Sequence, residues 1–167
     1  QTVDKAYIEG FKPEAVLIAT GAHPFKPSVQ GIESAVDGWD ILKNIADVPR
    51  NKRVAVIGGG TVGCEIAETL ISFDNHVAII EMEDTLNKKQ DIVHRNHVYR
   101  VLEDANADIF TSSSVKSVFD GGVEIVDFTG NSTFIQCDLV VCAAGQMPDT
   151  SLCVTDIRSM GIDAYLL

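Results

Sequence analysis

The stretch from Arg53 to Glu81, RVAVIGGGTVGCEIAETLISFDNHVAIIE, limits what this chain can fold into more than any other part of it. Val54 to Ile57 is an apolar run too short for a helix and suited to a strand buried on both faces. Gly58, Gly60 and Gly63 follow at once as G-x-G-x-x-G, after which Ile66, Ala67, Leu70 and Ile71 recur at helical spacing. A second strand, His76 to Glu81, ends on an acid. The order is strand, tight turn, helix, strand. The first glycine permits a sharp turn, the second lets backbone approach a pyrophosphate, and the third lets helix and strand pack closely. The helix start then presents free N–H groups and the positive end of its dipole to phosphate.

Glycine-rich turns are common, so the motif gains weight from its setting: a strand before, a helix after, a second apolar strand, and an acid closing it. Glu81 lies 81 − 58 = 23 positions past the first glycine, near the offset of about 20 residues expected of a ribose-binding acid. The candidate dinucleotide contacts are therefore Gly58, Gly59, Gly60, Thr61, Val62, Gly63 and Glu81. The competing reading is a βαβ unit whose glycines only permit tight packing. Glu81 also predicts NADH over NADPH, because its carboxylate accepts from ribose hydroxyls and faces a 2′-phosphate unfavourably. Glu83 and Asp84 follow with no arginine among them, and Lys88 and Lys89 are expected at the start of the next helix.

Composition narrows the partners. A net charge of −11 over 167 residues offers no basic patch for nucleic acid. No apolar run approaches the length of about 20 residues that spans a bilayer, and no signal-peptide pattern opens the chain; no membrane partner is expected. Cys64, Cys137, Cys142 and Cys153 form no C-x-x-C, which removes dithiol and zinc-ribbon readings, and buried free thiols in a reducing cytoplasm are expected. The chain starts at Gln1 and ends on the strand-like Tyr165-Leu166-Leu167, so it reads as part of a longer protein.

Around the central unit the patterning is coarser. Tyr7 and Ile8 read as a short strand, Glu14 to Ala19 as a buried strand, and Asp37 to Ile45 as a short helix capped by Asp37. MEDTLNKKQ (82–90) reads as a polar link into a helix over Asp91 to Asp104, and Asp108 to Thr111 as a third strand. Ser112, Ser113 and Ser114 read as loop. Val115 to Phe119, Val123 to Phe128 and Ser132 to Gln136 alternate between glycine-containing turns, the punctuation of a β-meander. Asp138 to Ala144 returns to a continuous apolar run fitting a buried parallel strand, and the tail from Thr150 is weakly patterned.

No catalytic nucleophile is defensible, as no Ser-His-Asp or Cys-His arrangement occurs. His94 and His97 stand at i and i+3, but no third ligand completes a metal site by spacing. In a dinucleotide enzyme the cofactor does the chemistry and the protein supplies position and field.

Taken together, EAVLIATGAHP (14–24), GGGTVGCEIAE (58–68), the meander and DLVVCAAGQMPD (138–149) resemble the pyridine-nucleotide-disulfide-type flavoprotein reductases, over roughly residues 5 to 150. The glycine turn looks most like the C-terminal flavin half of the 2-enoate and 2,4-dienoyl-CoA reductase group related to the old yellow enzymes. That resemblance implies a NAD(P)H-binding domain inserted into an FAD-binding one. It implies hydride transfer from NADH to FAD, with electrons passing through a 4Fe-4S cluster to FMN in the parent enzyme. It also implies that Glu65 lies near nicotinamide and flavin, that Ala144 and Gly145 lie beside the cofactor, and that Thr20 and Gly21 face FAD. The chain lacks the first glycine motif, the G-D pair and the cluster cysteines of that pattern, so an isolated chain of this length is expected to be inactive and to hold no FAD tightly.

The expected fold is α/β: a Rossmann-like NAD(P)-binding domain over residues 49–147, strand order 3-2-1 plus a later parallel strand, and a three-stranded meander as crossover. Residues 1–48 and 148–167 are expected to be partial strands of an FAD-binding domain. The expected partners are the dinucleotide and the remainder of a parent flavoprotein, and a homo-oligomer is left open. The expected function is to dock NADH for hydride transfer to FAD, toward an enoate or enoyl-CoA substrate. The alternatives are an NADH oxidase or disulfide-reductase-like flavoprotein, and a regulatory NAD-sensing module.

Overall fold

A computed structural model describes residues 3–167. It forms two compact units, one of residues 24–145 and the other of the residues up to His23 together with Gln146–Leu167. Residues 24–48, assigned above to a flanking segment, thus fold with the larger unit.

The N-terminal segment carries α1 (Lys5–Phe11), β1 (Ala15–Ile18) and β2 (Ala22–Pro24). The short strand expected at Tyr7 and Ile8 is instead helix. Asp4 accepts from the Tyr7 N–H at 2.9 Å as N-cap, and Tyr7 and Phe11, four apart, stack with ring centres 5.9 Å apart. A cap and an i,i+4 aromatic pair outweigh the β-preference of two residues.

The larger unit begins with a 3₁₀ turn, Ile32–Ser34, followed by β3 (Val36–Asp37) and α2 (Gly38–Lys43), whose N-cap Asp37 accepts from the Trp39 N–H. Then come β4 (Arg53–Ile57), α3 (Thr61–Ser72), β5 (His76–Ile80), α4 (Ile92–Asp104) and β6 (Asp108–Phe110). The meander is β7 (Ser113–Phe119), β8 (Gly122–Asp127) and β9 (Ser132–Gln136), and β10 (Leu139–Cys142) follows directly. The main sheet is parallel in the order β3-β10-β4-β5-β6. That is the expected third-second-first order with the late strand beside the first, plus a two-residue edge strand, β3, too short to be read from pattern.

Three layers result, and the period of two along a strand decides which residue joins which. Val54, Val56, Val77 and Ile79 pack with Ile66, Ala67 and Leu70 of α3 and Val98 and Leu102 of α4. Ala55, Ile57, Ala78 and Ile80 face the opposite way and pack with Val118, Val123, Ile125 and Ile135 of the meander. Helices cover one face and the meander the other, so beyond the exposed first residues Arg53 and His76 both faces of β4 and β5 are buried and their sequences are apolar.

Three local expectations are corrected. Ser113 and Ser114 begin β7 rather than lying in a loop, with the Ser113 N–H donating to the Glu81 carbonyl at 2.9 Å. The 82–90 segment is a packed strap instead of a plain polar link: Leu86 is fully buried and Asn87 nearly so. Lys88 and Lys89 belong to that strap, and α4 starts only after its N-cap Asp91, whose carboxylate accepts from the N–H groups of Val93 and His94.

The weakly patterned tail also folds, into β11 (Gln146–Pro148), α5 (Val154–Ser159) and β12 (Asp163–Leu166). In the smaller unit β12 pairs in parallel with β1, from Ala15 opposite Asp163 to Ile18 opposite Leu166, and β11 pairs with β2. Its buried core is Ile8, Ile18, Ile157 and Ala164. No helix among the described residues is long and apolar enough to cross a membrane.

Candidate functional site at the glycine turn

Strand β4 has partners entering the sheet in opposite directions of the chain, β5 and β6 on one side and β10 and β3 on the other. Such a switch point opens a crevice at the carboxyl ends of the strands. Here β4 ends at Ile57 and β10 at Cys142, and the Ala143 N–H donates to the Ile57 carbonyl at 2.7 Å.

The chain turns sharply at Gly58, with φ +104°, and a Cβ there would fall 2.4 Å from the Ala143 carbonyl oxygen. At Gly63 a Cβ would fall 1.9 Å from the Gly58 oxygen, which is the close packing of helix against strand. At Gly59 it would meet Leu86 and Glu81. Gly60 differs: a Cβ there would meet nothing within 4 Å. Gly60 is the N-cap of α3 and supplies no side chain to it, so the first N–H groups of a twelve-residue helix open onto this space.

Glu81 stands one residue past β5. Its Oε2 accepts from the Gly59 N–H at 2.6 Å and its Oε1 from the Glu83 N–H at 2.8 Å. The Glu81 backbone is tied in turn to Phe110 and Ser113. Each carboxylate oxygen keeps a second lone pair for a further donor. The expected acid is thereby fastened to the expected turn.

The strap braces the turn from the other side. The Asn87 N–H donates to the Gly59 carbonyl at 2.7 Å, and the buried Cys64 thiol donates to the same oxygen at 3.4 Å. The Thr61 hydroxyl donates to Asn87 Oδ1 at 2.9 Å and accepts from Gln90 at 3.2 Å, while Tyr99 accepts from the Leu86 N–H. Burial, with Glu68 and Glu81 adding to it, pushes the Cys64 thiol up to about 12. It is a neutral donor and no nucleophile. The signal in the sequence was one leucine inside a polar run; Asn87, with φ +52°, gave none beyond its residue type.

Two hollows adjoin the turn. One, of about 300 Å³, is mainly apolar and brings Gly58, Gly60, Glu81, Ala144 and Gly145 together with Phe25, Val29 and Val115. The other runs over Gly59, Gly60, Thr61 and Val62 and is bordered by Glu81, Lys88 and Lys89. Gly58, Gly59, Gly60, Thr61, Val62 and Glu81 therefore meet here with Ala144 and Gly145, while Gly63 is buried against Gly58 and lines neither hollow. Phe25, Val29 and Val115 come from loop and meander and were not foreseen.

Glu65 is placed elsewhere. It is exposed on α3 and borders a groove between α3 and α4, with Glu68, His94 and His97. His94 pairs with Asp91, His97 stands 3.9 Å from Glu68, and no group of three metal-ligating side chains exists among the described residues. Thr20 and Gly21 belong to the smaller unit, where the Thr20 hydroxyl donates to the Asp149 carbonyl and Gly21 accepts from the Asp149 N–H. Cys64, Cys137 and Cys142 are buried as expected, and Cys153 is exposed.

A sequence profile described as pyridine nucleotide-disulphide oxidoreductase matches residues 4–164. The chain is 29% identical over 170 residues to an NADH oxidase of Thermoanaerobacter brockii, a match covering 99% of this chain and 26% of that protein. It is 31% identical over 151 residues to a bilirubin reductase of Mediterraneibacter gnavus, covering 89% of this chain and 23% of that one. Among solved structures, a 2-naphthoyl-CoA reductase shares the fold with a TM-score of 0.81 at 24% identity, over 99% of this chain and 25% of that chain. The chain spans about a quarter of the length of these relatives.

Proposed function

From the premise that the chain belongs to the pyridine nucleotide-disulphide oxidoreductase family, we propose that its glycine turn holds NADH and positions it for hydride transfer to FAD in a longer flavoprotein. The observation that carries this reading is Gly60. Gly58, Gly59 and Gly63 are each explained by atoms of the chain itself, whereas Gly60 is crowded by nothing and stands at an uncapped helix start. Backbone left bare at that point suits a pyrophosphate, which takes the free N–H groups and the positive end of the helix dipole. Glu81 would accept from the adenosine ribose hydroxyls, and the apolar hollow beside Ile80 and Val115 would take an uncharged ring. The bound NADH supplies the hydride; the chain's residues supply position.

In this reading the larger unit, residues 24–145, is the dinucleotide-binding part and the smaller unit belongs to an FAD-binding domain, with Thr20 and Gly21 toward FAD. The parent reaction is the reduction of a conjugated substrate of the enoate or enoyl-thioester kind, in keeping with the reductases among its relatives. FMN and a 4Fe-4S cluster would belong to the parent beyond this chain. A second reading, an NADH oxidase, is favoured by the relative from Thermoanaerobacter brockii, which matches 99% of the chain.

Gly60→Asp tests the site. An aspartate is a good N-cap, so the variant should be at least as stable as the original, yet its carboxylate would stand where the pyrophosphate is placed. Calorimetric titration should find NADH binding to the unaltered chain and none to the variant at the same concentrations. Unchanged NADH affinity in Gly60→Asp would sink the reading.

A further inference from the structure

The hollow over the glycine turn contains two cations that sequence order had placed on the next helix. Lys88 Nζ lies 2.7 Å from Glu83 Oε2 and 3.1 Å from Asp84 Oδ1, so two of its three donors are taken by carboxylates of its own strap. Glu83 also holds Glu81 through its backbone N–H. Lys89 borders the same hollow and forms no ion pair among the described residues. The strap thus carries a phosphate-binding type of side chain to the ribose acid and occupies it on arrival.

We propose that Glu83 and Asp84 act as a mask on Lys88, and that this mask, together with Glu81, sets the selectivity for a dinucleotide lacking the 2′-phosphate. The inference rests on the dinucleotide reading of the glycine turn. An adenosine ribose held by Glu81 would direct its 2′ position toward the strap. A phosphate there needs a cation, and of the two strap lysines Lys88 is the one paired with Glu83, the residue whose N–H is bonded to Glu81. To take more than the one donor left on it, the phosphate must displace a carboxylate, and it then remains beside the acids it displaced. A hydroxyl makes no such demand. A lysine is a cation at neutral pH with or without these carboxylates, so it stays available once they are neutralised. Selectivity then lies in an internal competition and not only in repulsion from Glu81, and the two mechanisms predict different behaviour when Lys88 is removed.

The test is a cycle of variants in the full chain, each titrated calorimetrically with NADH and with NADPH. Glu83→Gln with Asp84→Asn keeps side-chain shape and removes both charges. The expected result is a rise of about tenfold in NADPH affinity relative to NADH, the scale of one charge-assisted hydrogen bond. Adding Lys88→Met should abolish that rise, and adding Lys89→Met should leave it in place. A rise that survives Lys88→Met would mean that the acids act by repulsion alone, and a rise lost only with Lys89→Met would assign the phosphate to the wrong lysine here; either overturns the proposal. So does a double variant that binds NADH and gains nothing toward NADPH. Failure of the unaltered chain to bind NADH would instead strike the dinucleotide reading, and the mask would fall with it.

Discussion

A methyl group at Gly60 would enter open space, whereas at Gly63 it would lie 1.9 Å from a backbone oxygen. The glycines of one motif therefore answer to different constraints, and variants should separate them. Gly63→Ala should destabilise by about 1 to 3 kcal/mol through forced displacement of strand against helix, read by urea denaturation, while Gly60→Asp costs the fold nothing. Glu81 belongs to the ligand side of this division. Glu81→Ala should reduce an NADH preference of about tenfold, equivalent to about 1.4 kcal/mol, toward parity; an unchanged ratio would remove Glu81 from the ribose site. The thiols divide similarly. Cys153 is exposed and its thiol is lowered by hydrogen bonds from Thr155, whereas burial raises Cys64, Cys137 and Cys142. An aromatic disulfide reagent at neutral pH should modify Cys153 alone in the native protein, and Cys153→Ser should abolish the reaction. For Cys64 the sign follows from its raised pKa: stability is full below the unfolded value near 9 and declines as pH rises toward about 12, because the unfolded chain loses that proton first.

At the scale of elements, the strap from 82 to 90 differs most from its appearance in the sequence. It has no helix or strand, yet Leu86 packs against Gly59 and is fully buried, and Asn87 joins the glycine turn to Thr61. Leu86→Ala should cost about 2 to 5 kcal/mol as a cavity in a well-packed core, and it should weaken NADH binding as well, because it loosens the partner of Gly59. A denaturation midpoint unchanged from the original would show that the strap packs less firmly than this. The βαβ elements themselves were legible. Their apolar runs are continuous because helices bury Val54 and Val56 while the meander buries Ala55 and Ile57, and a strand covered on both faces has no polar position to break the run.

Over the whole molecule, stability is unevenly shared. The larger unit has an apolar cluster on each face of its five-stranded sheet, while the smaller unit has four buried apolar residues and a two-stranded parallel pair. Two strands with so little buried surface are marginal alone. Hydrogen exchange should therefore find the amides of β4, β5 and β10 among the slowest and those of β1 and β12 markedly faster. Equal protection in the two units would contradict this distribution.

The sequence by itself determined the strand-turn-helix-strand core, the meander and the late parallel strand, since each is written in a local period or in a glycine the backbone requires. It also put Glu81 at the carboxyl end of the second strand, where it stands one residue past β5, because that position follows from counting. Tertiary structure decided what counting cannot reach. It drew Lys88 from an expected helix into the hollow beside Glu81, buried Asn87 beneath Gly59, brought Phe25 and Val115 to the same cleft, and gave residues 24–48 to the larger unit. Those outcomes depend on contacts between segments distant in the chain, made by isolated or polar residues. Such residues leave no periodic pattern, and their positions are fixed only when the sheet has closed around them.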